Sequence, residues 1–173
     1  MPETGAVRED YIMRKKILDI IYNTHTEGKE KLLFMKDFIP KHESSNYYED
    51  MNDTVKFFYK HIPLHFAYEE VLINALLKSD KLNKDDISFV NRILEEHCEI
   101  RSKFEKIKEM AERNGKDPKK EMKEDFICLV HETIYTIIKH AELEDERLFP
   151  LAELKVDEAM LSEIKLGISK LVC

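Results

Sequence analysis

Residues 55–76 read VKFFYKHIPLHFAYEEVLINAL. Steps of three and four through that stretch select Val55, Phe58, Ile62, His65, Glu69, Leu72 and Leu76, which an α-helix gathers onto one face. Five of the seven are apolar, so the stripe is the face turned to a core. His65 and Glu69 interrupt it one helical turn apart, where both side chains can reach the same point.

The same reading extends to three other segments. Helix A, from about Glu9 to Ile39, gives Leu18, Ile21, His25, Gly28, Leu32, Met35 and Ile39. Helix C, opening at the N-cap Asn83 and stopping at Asn114-Gly115, gives Val90, Ile93, His97, Ile100, Phe104, Ile107 and Ala111. Helix D, started by Asp117-Pro118 and ended by Pro150, gives Phe126, Val130, Thr133, Ile137, His140, Glu144 and Leu148. Pro40 to Asp53 reads as a connection, and helix B then runs to about Lys78, where Ser79-Asp80 begins a turn. Leu151 to Cys173 reads as a short amphipathic helix with Leu161, Ile164, Ile168 and Leu171 on one side. Long helices with short connections predict an all-α, antiparallel up-down-up-down four-helix bundle. The 173 residues suit one domain, with a core over 9–150 and a helical tail over 151–173.

Composition narrows the function classes. Four glycines and five prolines beside 36% charged residues fit a helical protein. A net charge of −7 argues against nucleic acid as a partner. No apolar run approaches the roughly 20 residues of a membrane span, and MPETGAVREDYIMRKK lacks the apolar stretch of a secretory signal. Cys98, Cys128 and Cys173 form no C-x-x-C pair and read as free thiols, so the expected location is cytoplasmic.

The polar intruders in the stripes are one histidine per helix and two glutamates, with Thr133 and the small Gly28. A carboxylate buried without a partner costs several kcal/mol. Six such groups must therefore satisfy one another, and a metal pair would do so: imidazoles donate nitrogen, and carboxylates can bridge two cations. His65 to Ser79 spans 14 residues and so does Asn83 to His97, and His25 lies 14 before Ile39, so three histidines share one height. The fourth fits less well. His97 to Arg113 is 16 residues and Pro118 to His140 is 22, a ~9 Å mismatch at 1.5 Å per residue, so helix D should start after the Lys116–Lys123 stretch or the connection should bow outward.

The other histidines fall off the stripes: His42 in a connection, His131 beside Val130, and His61 one turn before His65 but out of phase. His61 reads as a flank residue or an extra ligand, and Pro63 predicts a kink nearby. Glu70 and Asp145 read as outer partners of the site or solvated groups, and Tyr22 as a packing residue or a donor to a bound oxygen species. The Glu-x-x-His order of ferritin-like di-iron bundles is absent, a haem would not use inward glutamates, and a structural zinc site closes with four ligands.

His65-Phe-Ala-Tyr-Glu-Glu-Val-Leu-Ile resembles the H-x-x-x-E-E-x-x-L motif of the hemerythrin-like (HHE) domain, and His140-Ala-Glu-Leu-Glu-Asp-Glu-Arg-Leu-Phe-Pro resembles its second copy. Glu95-Glu-His97 is similar to the E-H of the third helix, and the match covers about Tyr11 to Leu151. The resemblance implies a non-haem di-iron centre bridged by two carboxylates and an oxo or hydroxo oxygen. Carried over, it places His25 and His65 on one iron and His97 and His140 on the other, with Glu69 and Glu144 bridging. Oxygen-carrying hemerythrins have a fifth histidine where this chain has Ile93 or Arg101. The four-histidine, two-glutamate set is similar to iron–sulfur cluster repair proteins and to iron- or oxygen-sensing domains, although the cysteine segment common in the repair proteins is absent. The expected function is that of a di-iron protein that reacts with or senses O2, NO or peroxide. The alternatives are cluster repair and an iron- or oxygen-sensing interaction module, its protein partner unidentified.

Overall fold

The computed structural model describes residues 18–33, 47–114 and 120–171, and these are helical almost throughout, with no strand among them. Six helices follow in order: α1 (18–33), α2 (Tyr47–Lys78), α3 (Lys84–Asn114), α4 (Lys120–Leu143), α5 (Phe149–Lys155) and α6 (Glu158–Leu171). A π-helical turn, Glu144–Leu148, joins α4 to α5. No helix among the described residues is long and apolar enough to cross a membrane.

The stripes pack into two apolar clusters, and their membership sets the helix directions. One joins Leu18 and Ile21 of α1 to Leu72 and Leu76 of α2, Phe89 to Ile93 of α3, and Leu148 onward. The other joins Leu32 to Val55 and Phe58, Ile100 to Ile107, and Phe126 to Ile138. The start of α1 thus lies beside the end of α2 and the start of α3, so successive helices run antiparallel in the expected up-down-up-down order. On each of α1 to α4 the stripe histidine falls between the two clusters, with Glu69 and Glu144 beside it, while Thr133 lies within the second cluster.

Local chemistry explains most boundaries. Asn83 caps α3: its Oδ1 accepts the Asp86 N–H at 2.8 Å, and Asp86 Oδ2 accepts the Asn83 N–H at 3.3 Å. Asp157 does the same for α6, accepting the Met160 N–H at 3.0 Å. The expected starts of helices A and D, with Asp117-Pro118, and the stop at Pro40 lie outside the described residues.

Three expectations are corrected. The connection does not extend to Asp53, because α2 is helical from Tyr47. The fourth helix does not end at Pro150. The π turn shifts the ladder so that Phe149 N–H donates to Glu144 O five residues back, and Pro150 then sits in the first turn of α5, where a missing N–H is tolerated. Finally, Leu161, Ile164 and Ile168 are buried as expected, but Leu171 is exposed and Met160 takes the fourth inward place. The break at Val156-Asp157 divides the tail into α5 and α6, which turns α6 onto α2.

Gly167 makes that docking possible. A Cβ on it would lie 2.5 Å from Val71 Cγ1 and 3.1 Å from Cγ2. Val71 is β-branched and stiff, so it cannot yield easily. Gly167→Ala is expected to destabilise the protein by about 1–3 kcal/mol. Val71→Ala in the same chain should recover part of that loss, and additive thermal shifts in the double-mutant cycle would disprove the clash.

Candidate metal centre

Four helices each send one histidine into the layer between the clusters. His25, His97 and His140 are fully buried, while His65 keeps 15% of its side chain exposed. The rings converge: the centroids of His25 and His65 are 5.4 Å apart, and those of His97 and His140 are 4.8 Å apart. The fourth histidine therefore shares the common height despite the longer count along its helix, and α4 begins at Lys120, within the lysine-rich stretch.

Glu69 and Glu144, both 0% exposed, lie among the four rings with one oxygen turned to each pair. Glu69 Oε1 is 2.9 Å from His65 Nε2 and 3.7 Å from His25 Nδ1, while its Oε2 is 3.4 Å from His97 Nε2. Glu144 Oε2 is 3.4 Å from His25 Nδ1, while its Oε1 is 3.1 Å from His140 Nε2 and 3.6 Å from His97 Nε2. Two groups of four donors result: His25, His65, Glu69 and Glu144, and Glu69, His97, His140 and Glu144. All six residues singled out in the sequence are brought together here.

These contacts lack hydrogen-bond alignment. Eight buried side-chain atoms have no hydrogen-bond partner among the described residues, and every one belongs to His25, Glu69, His97, His140 or Glu144. Buried polar groups are otherwise almost always paired, so a concentrated set of orphans marks a place made for something else. Cations satisfy it: nitrogen and carboxylate donors on every side suit a metal and suit no apolar ligand.

The outward nitrogens are held separately. His97 Nδ1 lies 3.1 Å from Glu70 Oε1, and His140 Nδ1 lies 2.9 Å from Glu96 Oε2. Because a carboxylate only accepts, each Nδ1 carries a hydrogen, which leaves the inward Nε2 as the nitrogen that a metal would bind. His65 Nδ1 meets Thr24 Oγ1 at 3.3 Å. The Thr24 hydroxyl already donates to the Ile21 carbonyl at 2.8 Å, so it accepts from His65 and fixes the same tautomer. His25 is turned the other way, with Nδ1 inward and Nε2 at 3.0 Å from Asp145 Oδ1 in an ion-pair contact. Arg101, Arg92 and Lys29 in turn hold Glu70, Glu96 and Asp145.

Glu70 and Asp145 are thus outer partners of the site. Thr24 and Glu96 were not singled out by sequence for this role. Each immediately precedes a stripe histidine, which is the signal that could have found it. The π turn helps Asp145, since five residues per closed ring narrow the angle between neighbours and let Glu144 and Asp145 both address the site.

The two halves differ in access. His97 is stacked on Phe66, with centroids 4.0 Å apart and planes 8° apart, and the Arg101 guanidinium lies over the Phe66 ring, 5.4 Å from its centroid. On the other half His65 stays partly exposed, and a cavity of about 130 Å³ between α1, α2 and α4 is lined by His25 and His65 together with His140, Glu144 and Phe66. His61 lines this cavity and stacks on Phe57 at 4.2 Å, but it joins neither donor group. Tyr22 packs edge-on against Phe149, and its hydroxyl lies 3.4 Å from the Phe149 carbonyl and 3.3 Å from Glu153. Thr133 is satisfied by the Leu129 carbonyl at 2.7 Å, outside the donor groups. His131 is half-buried beside Val130, and His42 lies outside the described residues. Cys98 and Cys128 are exposed free thiols.

Titration follows from the same contacts. Burial pushes His25 and His97 toward the neutral form, but the facing Glu144 and Glu69 prevail and hold both up at about 9. His140 is raised as well, burial again being outweighed by Glu144. Burial pushes both carboxyls up, and Glu69 pushes Glu144 up further. The surrounding imidazoles nevertheless keep Glu69 well below the usual range and Glu144 at about 2. A metal must therefore displace protons from the inward nitrogens at neutral pH.

The family described as Hemerythrin HHE cation binding domain matches residues 16–152, most of the chain. No curated protein and no solved structure matches it.

The signs give a pH dependence for protein stripped of metal. Histidines raised from 6.5 to about 9 contribute stability that is complete below pH 6.5 and lost as pH rises through 9. Glu144, lowered from 4.5 to about 2, contributes stability that is complete above pH 4.5 and lost as pH falls through 2. The melting temperature of the stripped protein should therefore fall steadily between pH 6.5 and 9. A flat or rising curve in thermal melts across that window would contradict the assignment.

Proposed function

The chain belongs to the hemerythrin HHE cation-binding domain family, and on that premise we propose that it is a di-iron protein that reacts with or senses O2, NO or peroxide. One observation carries the reading: Glu69 and Glu144 each turn one oxygen to the His25 and His65 half and the other to the His97 and His140 half. Shared carboxylates with two imidazoles on each side are a donor set for two cations, bridged by Glu69 and Glu144. Two histidines with carboxylate oxygen and positions left open are the kind of donor set that non-haem ferrous iron occupies.

Bound iron would supply one-electron exchange and direct coordination of a small ligand. The residues of the chain do the rest. Glu70, Glu96 and Thr24 hold the tautomers of His97, His140 and His65, Asp145 faces His25 in an ion-pair contact, and Phe66 covers His97. The cavity beside His25 and His65 admits a small ligand to the other half, with Phe58, Ile62 and Ile137 excluding bulk water.

A sensing role draws support from the position of the site between the two apolar clusters. Ligands that bind the folded state stabilise it, so loading would tie metal availability to bundle stability.

Stripped protein loaded anaerobically with ferrous salt should take up two iron ions per chain, and admission of air should produce a near-ultraviolet charge-transfer band. Uptake of one ion or none ends this reading. Glu69→Leu is expected to abolish paired uptake. Glu96→Gln should weaken iron affinity by about 10–100-fold through His140, as measured by competition with a chelator.

A further inference from the structure

Gly28 occupies an inward position of α1, at the stripe interval that follows His25. Within a helix a glycine is about 1 kcal/mol less favourable than alanine. No close approach requires it here, since a Cβ on Gly28 would meet nothing from the rest of the protein within 4 Å. The space it leaves is part of the cavity whose apolar lining includes Leu32, Phe58, Ile62 and Ile137 and whose polar lining includes His25, His65, His140 and Glu144.

The size of that space exceeds what a gas molecule needs. A water-sized species has a share of about 30 Å³, whereas an apolar cavity of about 150 Å³ lined by leucine, isoleucine and phenylalanine binds benzene. At about 130 Å³ this cavity belongs with the second case. Protein interiors are close-packed, and any larger residue at position 28 would have filled the gap while favouring the helix.

We propose that the cavity beside His65 is a binding site for a small apolar organic molecule, up to about the size of a benzene ring, kept open by Gly28. Its ligand class is short alkyl or aryl compounds, presented edge-on to the His65 and Glu144 side of the donor cluster. The inference rests on the di-iron reading only for what such a molecule would meet at the polar lining of the cavity.

Benzene serves as the probe, titrated into the full chain with and without iron and followed by calorimetry and NMR shifts. Saturable one-to-one binding, with naphthalene excluded by size, is expected. Gly28→Leu should weaken benzene binding at least tenfold while iron stoichiometry and helicity are retained, and Gly28→Ala should weaken it less. Absence of benzene binding to the unaltered chain, or equal binding by Gly28→Leu, overturns the proposal. Should Gly28→Leu fail to fold, the benzene and naphthalene comparison in the unaltered chain decides by itself. Two-iron uptake without benzene binding leaves the di-iron reading standing and removes this one, and benzene binding without iron uptake does the reverse.

Discussion

Two carboxylates buried among four imidazoles, with apolar clusters above and below, form the constraint on which the molecule is organised. Burying charge is costly, and the cost falls when opposite charges or a cation occupy the same enclosed space. Glu69 and Glu144 cannot be hydrated, and neither carboxylate oxygen finds an aligned donor. Each helix must therefore present its histidine at one depth, which fixes the axial position of all four against one another. The apolar stripes tolerate small slips along their length, but the polar layer does not.

The outer contacts extend the same logic to the surface. An imidazole that faces a metal needs its other nitrogen held, or the ring can rotate and the proton can move to the wrong atom. Three of the four rings are held by carboxylates that are themselves held by Arg92, Arg101 or Lys29, and the fourth by a hydroxyl whose own hydrogen is committed to the backbone. Charge thus alternates from the centre outward, which lets a concentration of acidic groups persist inside a small bundle. The Phe66 ring stacked on His97 and the cavity that reaches His25, His65 and His140 give the polar layer two unlike sides.

Much of this was legible along the chain because helical periodicity is a local property. His25, His65, Glu69, His97, His140 and Glu144 stand in phase with apolar neighbours, and helical phase turns a side chain toward the core that those neighbours build. Pro150 shows the limit. A proline ordinarily stops a helix, yet the π turn before it changes the register of hydrogen bonds, and that turn also brings Asp145 round to His25. No single-residue preference encodes such a shift. His140 shows another: residue counts placed it about two turns too far along, and the packed bundle nonetheless sets its ring beside His97.

The pattern of apolar and polar residues was sufficient to determine an antiparallel helical bundle and the six donors inside it, because both follow from side-chain direction about one helix at a time. Tertiary structure alone decided which carboxylate oxygen faces which pair of imidazoles, which of Thr24, Glu70, Glu96 and Asp145 supports each ring, and that Gly28 borders open space. Those are relations between helices. They depend on distances and rotations fixed only when the helices pack, which no interval along the chain records.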